Sequence, residues 1–200
     1  MKITSAFMAI LMVCAVLVFN TCDDPDSVVN DKTHQLLSLL PLGQTYTIGE
    51  TGPSGVGIVF YITDGGLHGL EAAPVDQSIG VVWISGTFQS LSTGATGTAI
   101  GTGLANSNII IGEPLESPSA AQLCRNYRGG GKTDWFFPSK DELNQLYLQQ
   151  AVVGGFAASA YWSSSEGAAN GAWGQGFPVG PQVNVVNKND TLYVRAVRAF

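Results

Sequence analysis

Apolar and polar residues alternate along several short stretches of the chain, which is the pattern of half-buried β-strands. In the clearest stretch, Gly57 to Ala73, two β-rich segments flank a turn at Asp64-Gly65-Gly66. Glycine supplies the positive φ that tight turns require, so this stretch predicts a β-hairpin. Short strands are also predicted at residues 160–165, 171–177, 182–187 and 191–199.

Two helices are predicted between the hairpin and the last strands. The first runs from about Ser119 to Tyr127 and ends at a glycine cluster, residues 129–131. The second begins at an S-x-x-E capping box formed by Ser139 and Glu142. Its apolar stripe consists of Leu143, Leu146 and Tyr147.

The stretch from Ser85 to Gly112 is rich in Gly, Thr, Ser, Ala and Asn and has a period of neither 2 nor 3.6. We therefore expect a long ordered loop, and loops of this length are usually functional or mobile. A hairpin, a long loop, two helices and a final group of short antiparallel strands together predict an α+β fold.

The N-terminus has the pattern of an export signal rather than of the folded domain. Residues 1–21 contain an almost unbroken apolar run and end at Cys22, which is followed by an acidic stretch. This resembles a bacterial lipoprotein signal with Cys22 as the acylated residue, although Phe19 and Asn20 depart from its usual pattern. A plain secretory signal or an uncleaved membrane anchor is the alternative. Residues 22–43 are expected to be an acidic tether, and 44–200 the domain.

The composition excludes some classes of partner. Only 12% of the 200 residues are charged, 25 are glycine, and the net charge is −6. Nucleic-acid binding requires basic patches that release counterions, so we do not expect a nucleic-acid partner. Few charges with many small polar residues favour an extracellular domain. Together with the lipoprotein-like signal and the acidic residues after Cys22, they predict a protein that is exported and anchored at the outer membrane or cell surface.

Two single residues, Cys124 and Arg198, are expected to have structural roles. Cys14 falls in the export segment and Cys22 is the expected anchor, so Cys124 has no partner for an internal disulfide and is interpreted as a small buried hydrophobe. Arg198 lies among apolar residues of the last strand and must meet carboxylates or carbonyls there.

No catalytic group is predicted. A nucleophile among the consecutive serines 163–165 would need a nearby general base. The favoured interpretation is that Tyr161 and Trp162 pack in a sheet while the serine hydroxyls satisfy backbone groups. Glycosidases need two carboxylates across the scissile bond, so a glycan hydrolase is the least favoured alternative. The available carboxylates are Glu113, Glu116, Asp134, Asp141, Glu142 and Glu166.

Several motifs, in order, resemble the DUF1566 family, which is similar to the C-terminal domain of the Legionella collagen-like adhesin. They are GIVFYI, HGLEAAPVDQS, TGTAIGTGLAN, DWFFPSKDELNQLY, YWSSSE, AWGQGF and YVRAVRAF. The resemblance covers residues 44–200. It implies a C-type-lectin-like fold and a surface domain that binds glycans or other macromolecules. The collagen-like stalk is missing, and partial matches to calcium-lectin motifs lack ligands, so neither metal nor cofactor is expected.

The ligand site is predicted on the later strands. Trp173, Gln175 and Phe177 alternate with small residues, so their side chains share one face, and exposed amides beside an aromatic ring suit sugars. The predicted ligand-binding residues are Glu166, Asn170, Trp173, Gln175, Gln182 and Asn184. Trp173 and Phe177 could instead belong to the core. The functional alternative is a structural or assembly component of the envelope without a soluble ligand.

Overall fold

The structure is a computed structural model that describes residues 43–116, 118–177 and 180–200. Gln44–Phe200 form a compact unit. The predicted export segment (residues 1–21), the expected acylation site Cys22 and all of the tether except Gly43 lie outside the described residues. Within the part of the chain that is described, no helix is long and apolar enough to cross a membrane.

The described strands form two sheets. In chain order they are β1 (Ile58–Thr63), β2 (His68–Ala72), β3 (Ser78–Val82), β4 (Ala160–Ala168), β5 (Gly171–Gly176), β6 (Gln182–Asn187), β7 (Thr191–Val194) and β8 (Val197–Ala199). One sheet has the order β1-β2-β8, and the other has the order β3-β7-β4-β5-β6. All pairings are antiparallel except that of β4 with β7.

The predicted hairpin is confirmed by β1, β2 and their connection. Gly65 and Gly66 have φ angles of 67° and 93°, so both occupy the region that favours glycine. A Cβ atom on Gly66 would also lie 2.2 Å from the carbonyl oxygen of Tyr46. The turn therefore needs glycine both for its backbone angles and for the close approach of the preceding chain.

Both predicted helices are present, with the predicted cap on the second. The described helices are α1 (Gly103–Gly112), α2 (Ala120–Asn126), α3 (Lys140–Leu148) and α4 (Gln150–Val153). Ser139 and Glu142 form the expected reciprocal capping box at the start of α3. Leu143 and Leu146 are buried, as predicted, and Tyr147 is partly buried against the same cluster.

The prediction of a long loop between Ser85 and Gly112 is wrong, because this stretch contains a 3₁₀ turn at Gly86–Gln89 and all of α1. The buried side of α1 has the helical spacing i, i+3, i+4, i+7, but three of its four residues are small or polar. They are Gly103, Asn106, Ser107 and Ile110. A search for apolar periodicity therefore could not detect this helix.

The core consists of two clusters, and adjacent residues of β4 contribute to different ones. Trp162 packs in the first cluster with Trp83 and Trp135, whereas Tyr161 packs in the second with Phe177 and residues of α3. Successive side chains of a strand point to opposite faces, so β4 has a buried cluster on each side. The interpretation of Tyr161 and Trp162 as sheet core is confirmed.

Cys124 and Arg198 both have the surroundings that the sequence predicts. Cys124 is fully buried in the first cluster, and burial raises the pKa of its thiol. Arg198 pairs with two carboxylates, donating from Nη1 to Glu71 Oε1 at 2.8 Å and from Nε to Asp134 Oδ1 at 2.6 Å. The expectation that Arg198 meets carboxylates is confirmed.

Candidate functional site

The consecutive serines of β4 are buried and hydrogen-bonded within the fold. Ser163 donates to the carbonyl oxygen of Trp173 at 3.0 Å. Ser165 donates to the Gly97 carbonyl at 2.6 Å and accepts from the Lys140 N–H at 2.9 Å. The Ser164 hydroxyl accepts from the side chain of Asn106 at 3.2 Å. These hydroxyls satisfy neighbouring polar groups, as predicted.

Four predicted ligand-binding residues, Trp173, Gln175, Gln182 and Asn184, lie together on β5 and β6. We call this surface the helix-covered face, because the N-terminal turn of α3 packs against it. The Nζ atom of Lys140, the first residue of α3, lies 5.0 Å from the centroid of the Trp173 ring. This distance is within the range of a cation–π contact, so the ring is covered in part by the protein itself.

The amides of the helix-covered face are engaged by α3. Gln175 donates to Asn144 Oδ1 at 3.1 Å. Gln182 donates to the Lys140 carbonyl at 2.7 Å. Gln175 is only 2% exposed, so the expectation that it offers a free amide to solvent is wrong. A buried amide must find partners inside the protein, and α3 provides them.

A β-bulge shapes the same face. Ala172 pairs with Val186 and Gly174 with Val183, so Asn184 and Val185 together lie opposite Trp173. Val185 has φ 62°, which is a strained conformation for a β-branched residue. A Cβ atom on Gly167 would lie 2.2 Å from Asn184 Oδ1 and 3.4 Å from Trp173 Nε1. The bulge thus holds Asn184 and Trp173 closely against Gly167.

Phe177 and Trp173 differ in burial although they were predicted to share a face. Phe177 is 4% exposed and packs in the second core cluster, so the core interpretation is correct for it. Trp173 is partly buried. Its ring is neither an open platform nor a fully enclosed core residue.

Glu166 lies in the interior and forms an ion pair with Lys188, which is fully buried. Its carboxylate also accepts from Ser92 Oγ at 2.6 Å and from the N–H groups of Thr93 at 2.9 Å and Gly94 at 3.0 Å. Burial alone would raise the pKa of Glu166, but these donors and Lys188 more than offset it and hold the pKa below its usual value. Glu166 is therefore a stable buried anion.

Asn170, the remaining predicted residue, lines a cleft above this ion pair. The cleft has a volume of about 420 Å³ and is lined by Gln89, Ser90, Asn170, Asn187 and Asn189. We call it the amide cleft. In the described part of the chain, its four amide side chains form no hydrogen bond with the protein, so their donors and acceptors are available to a ligand.

Sequence reasoning did not find the other four lining residues. Asn187 and Asn189 flank Lys188 in a turn whose polar sequence, NKND, could have suggested a binding turn. Gln89 and Ser90 lie roughly 80 residues before Asn170 in the chain, and only the tertiary fold brings them together. No local pattern could have indicated that proximity.

No candidate metal site is found among residues 43–116, 118–177 and 180–200, because they contain no group of three or more His, Cys, Asp or Glu residues that could hold an ion.

Comparison with protein-family models gave no match, and comparison with curated proteins gave none either.

Proposed function

We propose that the chain is a non-catalytic binding protein whose domain takes a neutral, hydroxyl-rich ligand, a glycan, in the amide cleft. The observation that carries this proposal is the lining of the cleft, which consists of four uncharged amides and a serine. An amide offers both donors and acceptors, as a sugar hydroxyl does, so the two groups match without any charge.

The dimensions and charge of the cleft support this class of ligand. Its volume, about 420 Å³, falls within the roughly 300–1,000 Å³ of small-molecule sites. Such sites are mostly apolar, whereas this one is polar, which favours a ligand rich in hydroxyls over an apolar one. With a net charge of −6, the chain also disfavours polyanionic glycans.

A glycan array tests the proposal. The full chain, solubilised in detergent, is applied to an array of neutral and sulfated glycans and of matrix proteins. We expect binding to neutral oligosaccharides that weakens little as salt is raised, because no charged side chain lines the cleft. Binding to sulfated glycans alone would contradict the proposal. Binding to nothing would favour the alternative of a structural envelope component.

The finer assignments follow from the sequence resemblance. We propose that the α+β domain is C-type-lectin-like and that the protein is exported and held at the outer membrane or cell surface by a lipid on Cys22. Such an anchor would present the domain to glycans or to glycan-bearing matrix macromolecules, consistent with its low charge content.

Acylation of Cys22 can be tested directly. Cells grown with a fatty-acid analogue should label the protein, and Cys22→Ser should abolish the label. The Cys124→Ser variant is the matched control. Because the Cys124 thiol is fully buried, this substitution should leave labelling unchanged. Persistent label in Cys22→Ser would overturn the anchor.

A further inference from the structure

We infer that Lys188 is the positioning residue of the amide cleft, and that its buried ammonium fixes the three chain segments that carry the lining side chains. This inference rests on the proposed function, since it concerns how the cleft is held ready for its ligand. The segments are residues 86–91, the β4–β5 turn at 168–171 and the β6–β7 turn at 187–190.

The ammonium binds carbonyl groups that lie beside lining residues in the sequence. Nζ donates to the Phe88 carbonyl at 3.3 Å and to the Leu91 carbonyl at 2.8 Å, and these residues flank Gln89 and Ser90. It also donates to the Ala169 carbonyl at 2.7 Å, directly before Asn170. One charged group therefore holds both segments that come from outside its own turn.

The backbone of Lys188 fixes the third segment. Its N–H donates to the Asn170 carbonyl at 3.0 Å, and its carbonyl accepts from the Trp83 N–H at 3.0 Å. Asn187 and Asn189 are the immediate neighbours of Lys188, so these two backbone hydrogen bonds fix the positions of both side-chain amides at the cleft. Each of the five lining residues is thus either next to Lys188 in the sequence or next to a residue whose carbonyl the ammonium binds.

Glu166 neutralises the ammonium and ties it to the chain beyond the first segment. The carboxylate of Glu166 binds Lys188 Nζ and, on its other side, the N–H groups of Thr93 and Gly94. The ring of Trp83 lies 4.9 Å from Nζ and provides a cation–π contact. An ammonium has three donors, so the three carbonyls and the carboxylate occupy all of them and at least one N–H is shared between two acceptors.

A buried ion pair of this kind is costly to desolvate, and an apolar pair of similar volume is often no less stable. An apolar side chain could fill the space under the cleft, but it could not hold three carbonyls. The cleft is consequently preorganised, which lowers the entropy lost when a ligand orders its binding groups.

Hydrogen–deuterium exchange of the full chain tests the inference without a ligand. The variant is Lys188→Met/Glu166→Gln, which removes both charges and leaves no unpaired ion in the core. We expect amides in residues 86–94, 168–171 and 187–190 to exchange about tenfold faster or more, while β1, β2 and α3 keep wild-type protection.

The matched control is Arg198→Met/Glu71→Gln, which removes another buried pair and should leave exchange in the three cleft segments unchanged. Unchanged exchange in these segments in the Lys188 variant, or equal acceleration in β1 and β2, would overturn the inference. Affinity for a neutral oligosaccharide positive on the array should fall about tenfold or more. If no oligosaccharide binds the wild type, the proposed function fails, and the exchange result still decides the role of Lys188.

Discussion

The helix-covered face lies on β5 and β6, the amide cleft is lined by the turns that flank these strands and by residues 86–91, and both present amide side chains. In the first, Gln175 and Gln182 bond to Asn144 and to the Lys140 carbonyl of α3. In the cleft, none of the four amide side chains forms a hydrogen bond with the described part of the protein. The residue type is the same, so the presence of a partner decides whether an amide stabilises the fold or remains available to a ligand.

Each region also rests on a buried glutamate, and the two glutamates differ in charge compensation. Glu166 under the cleft is paired with Lys188, and its pKa lies below its usual value. Glu142 caps α3 and accepts N–H groups of Ser139 and Gly101 at 2.7 and 2.8 Å. Burial raises the pKa of Glu142, and these hydrogen bonds offset only part of that effect. Hydrogen bonds without a cation thus leave the carboxylate harder to ionise.

The largest effect expected from replacing an uncharged side chain comes from Gln175→Ala. This substitution leaves a cavity and removes the partners of Asn144 and Gln182, so we expect a loss of about 2 kcal/mol in the free energy of unfolding. Affinity of the folded protein for an oligosaccharide should stay unchanged. Urea denaturation beside a binding assay measures both quantities. A stable variant with weakened binding would return the ligand site to the helix-covered face.

The second prediction concerns pH and uses Glu166→Gln and Glu142→Gln. A carboxylate whose folded pKa is lowered stabilises the protein above its unfolded pKa, and that stability is lost as pH falls through the folded pKa. The wild-type advantage over Glu166→Gln should therefore shrink on acidification. Glu142 has a raised folded pKa, so its advantage over Glu142→Gln is largest below the unfolded pKa and shrinks as pH rises through the folded pKa.

Unfolding free energies of the two variants and the wild type, measured from pH 3 to pH 7, give both slopes. Each variant serves as the control for the other, because both replace a buried glutamate by its neutral isostere. If the wild-type advantage over Glu166→Gln and that over Glu142→Gln changed with pH in the same direction, the ion pair of Glu166 with Lys188 would not make the two glutamates differ.

The sequence predicted those elements whose signals are local. The hairpin follows from Gly65 and Gly66, and α3 follows from its capping box and apolar stripe. Helix α1 was not predicted because its buried side is formed by Gly, Asn and Ser as well as Ile. The polar residues of this side form hydrogen bonds with the rest of the domain. Asn106, for example, donates to the Gly97 carbonyl at 2.6 Å. Apolar periodicity does not register such a face.

The surroundings of the predicted site residues could be foreseen only in part, for a related reason. Alternation along β5 and β6 correctly placed Trp173, Gln182 and Asn184 on one face, but it could not show that α3 covers that face. The burial of Glu166 depends on Lys188, 22 residues later, and on the segment around Thr93. Contacts between distant segments determine which polar residues are free, and a single sequence contains no direct signal for them.

The smallest expected effect on stability, and the most direct test of the comparison, comes from Asn187→Ala in the cleft. Asn187 is exposed at the end of β6, and its side chain has no partner among the described residues, so unfolding should change by less than about 0.5 kcal/mol. Removing one of four ligand-facing amides should weaken oligosaccharide binding by about tenfold, in the range of a hydrogen bond left unmade. Asn108→Ala is the matched control, because Asn108 is an exposed asparagine on α1 outside the cleft. Equal affinities of the two variants would rule out the cleft as the binding site. Weaker binding by Asn187→Ala alone, at unchanged stability, would show that the amides of the cleft serve binding, whereas those beneath α3 serve the fold.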